Sequence, residues 1–99
     1  MKLQMHSIRF NADVKLLNFI QRKADKLDTF FDKIINGEVF LRLDKDVQNE
    51  NKIVEIKLNI PGGQLFAKEK SKSFEAATDL AVQALVKQIK KYKEKNFVY

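Results

Sequence analysis

The feature that most constrains the fold is a pair of alternating runs on either side of a Pro-Gly-Gly segment. Residues 53–60 and 64–70 place apolar side chains at every second position, which is the period of a half-buried β-strand. Between the runs, Pro61 presets its own φ and Gly62 permits a positive φ, so the chain can reverse sharply. The two runs therefore predict an antiparallel hairpin with one apolar face.

Two further alternating runs, over residues 2–9 and 38–44, predict the first and second strands. Residues 45–51 are polar throughout and predict an exposed loop before the third strand. The apolar positions that would share one face of the sheet are Leu3, Met5, Val39, Leu41, Leu43, Val54, Ile56, Leu58, Leu65 and Ala67. A face of this size needs a second layer to cover it.

Two helical runs supply that layer. Asp13 can cap a helix over residues 14–31, and Ser73 can cap one over 74–95. The apolar stripes are Leu16, Leu17, Ile20, Ala24, Leu27 and Phe31 in the first helix, and Phe74, Ala77, Ala81, Leu85, Ile89 and Tyr92 in the second. Asn36-Gly37 predicts a turn after the first helix. The order β-α-β-β-β-α predicts an α+β two-layer sandwich, a four-stranded sheet with both helices packed on one face.

Composition limits the classes of function. Ninety-nine residues suit one compact domain, so we expect residues 1–99 to form a single domain. The chain lacks cysteine and has one histidine, His6, so the sequence predicts no enzyme, no metal and no cofactor. It has neither the roughly 18-residue apolar run of a membrane helix nor a secretory signal, which predicts a cytoplasmic protein.

The net charge of +6 is unevenly distributed. Residues 1–60 carry 11 basic and 9 acidic side chains, a net of +2, whereas residues 61–99 carry 8 and 4, a net of +4. This asymmetry favours a polyanionic partner, either nucleic acid or an acidic membrane surface. Lysines that merely keep a helix end solvated would give the same composition.

Four lysines of the last helix are candidate anion-binding residues. At about 100° per residue, Lys87, Lys90, Lys91 and Lys95 fall opposite the apolar stripe. Like charges at this spacing repel by a few tenths of a kcal/mol per pair, a cost that an anionic partner would offset. The helix dipole also favours cations in the last turn, which accounts for Lys95 but not for Lys87.

Two other basic groups are candidates for binding phosphate. The first helix carries Lys15, Arg22 and Lys26 on one flank and Asp25, Asp28 and Asp32 on the other. If the helices pack side by side, the basic flank could line a groove with the lysines of the last helix while the acidic flank faces away. Lys68, Lys70 and Lys72 alternate along the fourth strand and the following loop, where they would bind phosphate or protect a sheet edge.

The outward face of the sheet would carry His6, Phe40, Arg42, Lys57, Phe66 and Lys68. Aromatic and basic side chains on a sheet stack RNA bases in RNA recognition motifs, but the order of elements differs from that fold. Phe40 and Phe66 therefore favour packing or contact with a protein.

Several segments together resemble the family of ribosome hibernation promoting factors and ribosome-associated translation inhibitor A. They are Lys23-Ala24-Asp25-Lys26-Leu27, Pro61-Gly62-Gly63, the run from Ser73 to Leu80, and the run from Leu85 to Lys91. The resemblance covers about residues 2–95. Glu75 and Thr78 depart from the family pattern, which often has an aromatic residue and then Ala-Ile-Asp there.

The resemblance implies a protein that binds the small ribosomal subunit, in the channel used by mRNA and tRNA anticodons. It would block translation and preserve idle ribosomes, with ribosomal RNA as its partner and no small-molecule substrate. The family's basic positions carry over to Lys23, Lys26, Lys87, Lys91 and Lys95. A chain ending at Tyr99 resembles the short form, which would need a second hibernation factor to pair ribosomes.

Two alternatives stay open. A double-stranded RNA-binding module also packs two helices on one face of a sheet. A protein-interaction module would instead use the outward face with Phe40 and Phe66.

Overall fold

The computed structural model describes residues 1–45 and 48–96. Its elements are β1 (Leu3–Ser7), α1 (Val14–Asp25), a short 3₁₀ helix (Lys26–Thr29), β2 (Asn36–Leu43), β3 (Lys52–Ile60), β4 (Gly63–Ser71) and α2 (Phe74–Asn96). The predicted order β-α-β-β-β-α is confirmed. Part of the predicted loop over residues 45–51 lies outside the described residues, at positions 46 and 47.

The four strands form one mixed sheet in the order β1-β2-β3-β4. β1 runs parallel to β2, and α1 provides the crossover that a parallel pair requires. β2, β3 and β4 are antiparallel, and the β3–β4 hairpin closes where Ile60 pairs with Gly63. Gly62 has a φ of 82°, so the Pro-Gly-Gly segment makes the predicted turn.

The helices cover one face of this sheet, as predicted. The hydrophobic core contains Ile20, Leu27, Phe31, Val39, Leu41, Val54, Ile56, Leu58, Ile60, Leu65, Ala67, Ala77, Ala81, Leu85 and Ile89. Leu3 and Met5 pack against it while partly exposed. The prediction for Leu43 is wrong: this side chain is 44% exposed, because it is the last residue of β2 and does not pack against the core.

Both predicted helix caps are confirmed. Asp13 accepts a hydrogen bond from the backbone N–H of Lys15 at 2.9 Å, and Ser73 accepts one from that of Ala76 at 3.0 Å. Each cap satisfies an amide that the first helical turn leaves unpaired. The caps therefore fix where both helices begin.

The first helix is shorter than the predicted span of 14–31. After α1 ends at Asp25, the chain tightens into the 3₁₀ helix, and the N–H groups of Phe30 and Phe31 both donate to the carbonyl of Leu27 at 3.0 Å. Leu27 and Phe31 stay buried through this change. The apolar periodicity continued across the break, which is why the sequence did not show it.

The predicted turn at Asn36-Gly37 is also wrong, because both residues belong to β2. A Cβ atom on Gly37 would lie 2.8 Å from Leu3 Cδ2, Leu58 Cδ2 and the Lys57 carbonyl oxygen. The position therefore requires glycine for close packing within the sheet rather than for chain reversal.

Candidate nucleic-acid interface

The second helix presents its four predicted lysines to solvent. Lys87, Lys90, Lys91 and Lys95 are all exposed, whereas Ala81, Leu85 and Ile89 on the inner side are fully buried. Among the described ion pairs, none involves any of these four lysines. Their charges are therefore available to an external anion.

The first helix contacts α2 through Lys23. Lys23 Nζ lies 3.3 Å from Asp79 Oδ1 of α2 and 5.4 Å from the centroid of the Phe19 ring. Lys23 is thus engaged between the helices. Arg22 and Lys26 are exposed and form no ion pair with a described residue, so their charges face solvent.

The acidic flank of α1 turns the other way, toward the N-terminus of the chain. The ammonium group of Met1 lies 3.0 Å from Asp25 Oδ1 and 2.7 Å from Asp28 Oδ2. Gln21 donates to the Met1 carbonyl at 2.9 Å and to Asp25 at 2.8 Å. The hydrogen bonds that the ammonium group donates to Asp28, which has the larger effect, and to Asp25 raise the pKa of the Met1 ammonium above its ordinary value.

Two of the predicted β4 lysines lie on the opposite face of the molecule. Leu65 and Ala67 point into the core, so Lys68 and Lys70 point outward. Lys68 Nζ lies 3.8 Å from Glu55, and Lys70 Nζ lies 3.1 Å from Asp44. The structure does not bring these lysines together with those of α2.

Lys72 lies apart from both groups. It is exposed in the short connection between β4 and α2, just before the Ser73 cap. It therefore sits near the N-terminal end of α2, whereas Lys87 to Lys95 occupy the C-terminal half.

The outward sheet face is organised around Phe40. The His6 ring stacks on it with centroids 4.8 Å apart, and Lys57 Nζ lies 5.6 Å from its centroid. His6 Nε2 is also 3.1 Å from Glu38, and Arg42 pairs with Glu55. These contacts favour packing for Phe40 rather than stacking on a base, while Phe66 remains 43% exposed.

Gln88 contributes a contact that sequence reasoning missed. Its amide accepts a hydrogen bond from the Phe66 N–H at 3.2 Å and donates one to the Phe66 carbonyl at 2.6 Å. β4 is an edge strand, so this side chain satisfies backbone groups that would otherwise be open to another strand. The only sequence signal for this contact was a polar residue beside the apolar stripe of α2.

The C-terminal half of α2 is held by two further side chains. The Tyr92 hydroxyl donates to the Pro61 carbonyl at 3.1 Å, and Lys93 Nζ donates to the Phe30 carbonyl at 2.9 Å. Together with Gln88, these contacts attach α2 to the β4 edge, the hairpin turn and the segment after the 3₁₀ helix. The exposed lysines therefore belong to a helix whose position is fixed by side-chain contacts.

Two other kinds of site are absent from the described part of the chain. No cluster of three or more His, Asp or Glu side chains there could hold a metal ion. Within the same residues, no helix has the length and apolar character to cross a membrane. What the helical layer offers is fixed, solvated positive charge, which suits contact with phosphate groups.

The architecture is that of a ribosome-associated class of α+β proteins. The chain belongs to the family described as Sigma 54 modulation protein / S30EA ribosomal protein, whose model matches residues 3–96. The expected resemblance is thereby confirmed. The family consists of binding proteins rather than enzymes, which agrees with the expectation that the chain is not an enzyme.

Individual relatives agree with this assignment. The chain is 35% identical over 80 residues to the ribosome hibernation promoting factor of Pseudomonas putida, covering 81% of this chain and 74% of that one. A ribosomal subunit interface protein from Coxiella burnetii has the same fold, with a TM-score of 0.84 at 25% identity over 94% of this chain and 98% of that one. The N-terminal domain of Thermus thermophilus Protein Y matches in fold at a TM-score of 0.81 and 24% identity, covering 93% of this chain and 99% of that one.

Proposed function

We propose that this chain is a ribosome hibernation factor that binds the small subunit through its helical face and occupies the channel for mRNA and tRNA anticodons. A hibernation role in association with ribosomes follows from its family and its similarity to a hibernation promoting factor. Residues 1–99 would act as one ribosome-binding domain in the cytoplasm. A second hibernation factor would be needed to pair ribosomes.

The observation that carries the proposal is a group of exposed cations on one layer of the protein that have no carboxylate partner among the described residues. They are Arg22, Lys26, Lys87, Lys90, Lys91 and Lys95. Folded ribosomal RNA offers a dense surface of phosphates, and contacts with them position a protein without reading its bases. Specificity for the ribosome would then come from the fit of a rigid sandwich into a preformed channel.

The fixed position of α2 is part of this mechanism. Gln88, Tyr92 and Lys93 tie the helix to the rest of the fold, so binding need not order the backbone that carries the lysines. A stiff protein in the channel excludes mRNA and tRNA by occupancy alone. Inhibition of translation therefore requires no chemical step.

Titration of labelled protein with isolated small and large subunits tests the proposal. Binding should be confined to the small subunit, and mRNA with initiator tRNA should compete. Neutralising about six phosphates should reduce affinity about 10³-fold between 50 and 200 mM salt. Affinity that is unchanged over that range would contradict a phosphate-binding face, and simultaneous binding with mRNA and tRNA would contradict occupancy of the channel.

Duplex RNA provides the comparison with the alternative function. An isolated duplex of about 16 base pairs, the span of a double-stranded RNA-binding domain, should bind much more weakly than the small subunit. Equal affinity for both would indicate general duplex binding instead.

A further inference from the structure

A pocket at the end of β1 and β2 lies outside the face described above. It has a volume of about 400 Å³ and is lined by Ile8, Arg9, Arg42, Leu43 and Lys45. This volume falls within the range of small-molecule sites. Three of its described lining residues are cationic, none is acidic, and none belongs to either helix.

Two of these positive charges have no acidic partner among the described residues. Arg42 pairs with Glu55 on the outward sheet face. Arg9 and Lys45 form no ion pair with any residue that the structure describes. Among the described lining residues the remaining charges have one sign, which favours an anionic ligand.

The backbone at Arg9 adds an independent indication. Its φ of 66° lies in the left-handed region, which glycine and asparagine adopt at less cost than arginine. The geometry of the loop alone thus does not favour an arginine here. A strained residue that places a cation at the edge of a pocket points to a role in binding.

The apolar part of the pocket limits the kind of anion. Ile8 is 37% exposed and Leu43 is 44% exposed, and both line the same space. A small inorganic anion would leave these side chains in water, whereas a flat ring could cover them. The ligand should therefore join an anionic group to a largely apolar ring.

Another cavity shows that this combination is not general. A space of about 460 Å³ near the C-terminal end of α2 is lined by Asp28 and Asp32 as well as Lys33 and Lys93. Charges of both signs there select no anion.

We propose that the pocket at the end of β1 and β2 binds a nucleoside phosphate, with the phosphate on Arg9 and Lys45 and the base on Ile8 and Leu43. The nucleotide could belong to single-stranded RNA or be free in solution. The shared chemistry is a phosphate joined to a nucleobase through a sugar. The site does not depend on the lysines of α2, so it can be tested apart from ribosome binding.

Amide chemical shifts of the ¹⁵N-labelled full chain measure binding directly. Adenosine 5′-monophosphate, adenosine, inorganic phosphate and a hexa-adenylate strand are titrated separately. The monophosphate should shift the amides of Ile8, Arg9 and Leu43, and adenosine and phosphate should each bind about tenfold more weakly or worse. Tighter binding of the strand at the same amides assigns the site to RNA, and binding of the monophosphate alone assigns it to a free nucleotide.

Substitutions separate the pocket from general attraction. Arg9→Asn suits the positive φ and removes the guanidinium, and Lys45→Gln removes the ammonium group. Each of these two single variants should weaken nucleotide binding about tenfold. Lys2→Gln removes an equal charge just before β1, at the end of the strand away from the pocket, and should leave nucleotide affinity unchanged. The proposal is overturned if phosphate binds as well as the monophosphate, if Ile8 and Leu43 do not shift, or if both pocket variants keep full affinity.

Discussion

Neutralising two lysines on the exposed side of α2 should separate a local binding face from bulk charge. Lys87 and Lys91 are four residues apart on the helix, both are exposed, and neither pairs with a described carboxylate. The double change Lys87→Gln and Lys91→Gln removes both charges and keeps the side-chain length nearly constant. Its matched control, Lys68→Gln with Lys70→Gln, lowers the net charge equally on the outward sheet face.

The expected magnitude follows from the contacts. A hydrogen bond to a charged group contributes about 1.5 kcal/mol at the lower end of its range, so two lost contacts cost about 3 kcal/mol, or roughly 150-fold in affinity. The plot of log affinity against log salt concentration should also become shallower, because binding releases about two fewer counterions. In the control, Lys68 and Lys70 already face Glu55 and Asp44, so the loss should be only a few-fold and disappear as salt screens it.

Titration of labelled variants with small subunits, at two salt concentrations, measures both effects. Folding should be unaffected, because removing repulsion between charges at i and i+4 stabilises a helix by only about 0.2–0.5 kcal/mol. Thermal unfolding of each variant checks this. Equal losses in the two double variants, vanishing together in high salt, would show that only total charge matters, and the helical face would have to be abandoned.

Three other changes test the fold around the interface. Because Asp25 and Asp28 raise the pKa of the Met1 ammonium above 8.0, their contribution to stability is complete below that pH and is lost as pH rises through the raised value. The free energy of unfolding, measured in urea on the chain that starts at Met1, should therefore fall above about pH 8. A variant with both Asp25→Asn and Asp28→Asn should not show this loss. Gly37→Ala should lower the free energy of unfolding by about 1–3 kcal/mol in the same assay, through overpacking. Gln88→Ala should cost about 1 kcal/mol and promote self-association through the opened β4 edge, seen by sedimentation; an unchanged monomer would contradict the edge-protecting role.

Much of the fold was accessible from the period of the apolar residues. Strict alternation identified every strand, and the Pro-Gly-Gly segment identified the hairpin, because each depends on local sequence. The errors arose where neighbours in space decide the outcome. Asn36-Gly37 carries a common turn signal, but β1 and β3 crowd Gly37 so closely that it belongs inside a strand. Leu43 matched the apolar face, yet as the last residue of β2 it is 44% exposed.

The sequence likewise predicted only part of the candidate interface. Helical periodicity alone separates Lys87 and Lys91 from the buried side of α2, and the structure has them exposed. Periodicity cannot give the rotation of one helix against another. The contact of Lys23 with Asp79 depends on that packing.

The acidic residues of α1 support the proposed function by fixing the rotation of the helix, and not only by repelling phosphate. On one flank, Asp25 and Asp28 hold the Met1 ammonium, and on the other, Lys23 reaches Asp79. Each exposed pair contributes only about 0.2–1 kcal/mol, but the two sets act on opposite sides of one helix and so resist its rotation in both directions. Arg22 lies on the same helix and is exposed, so a fixed rotation of α1 would keep it directed toward solvent, where an external phosphate could bind. Reversing the charge of Asp25 and Asp28 would therefore disturb the presentation of Arg22 as well as the local field, which makes the β4 lysines the cleaner control for bulk charge.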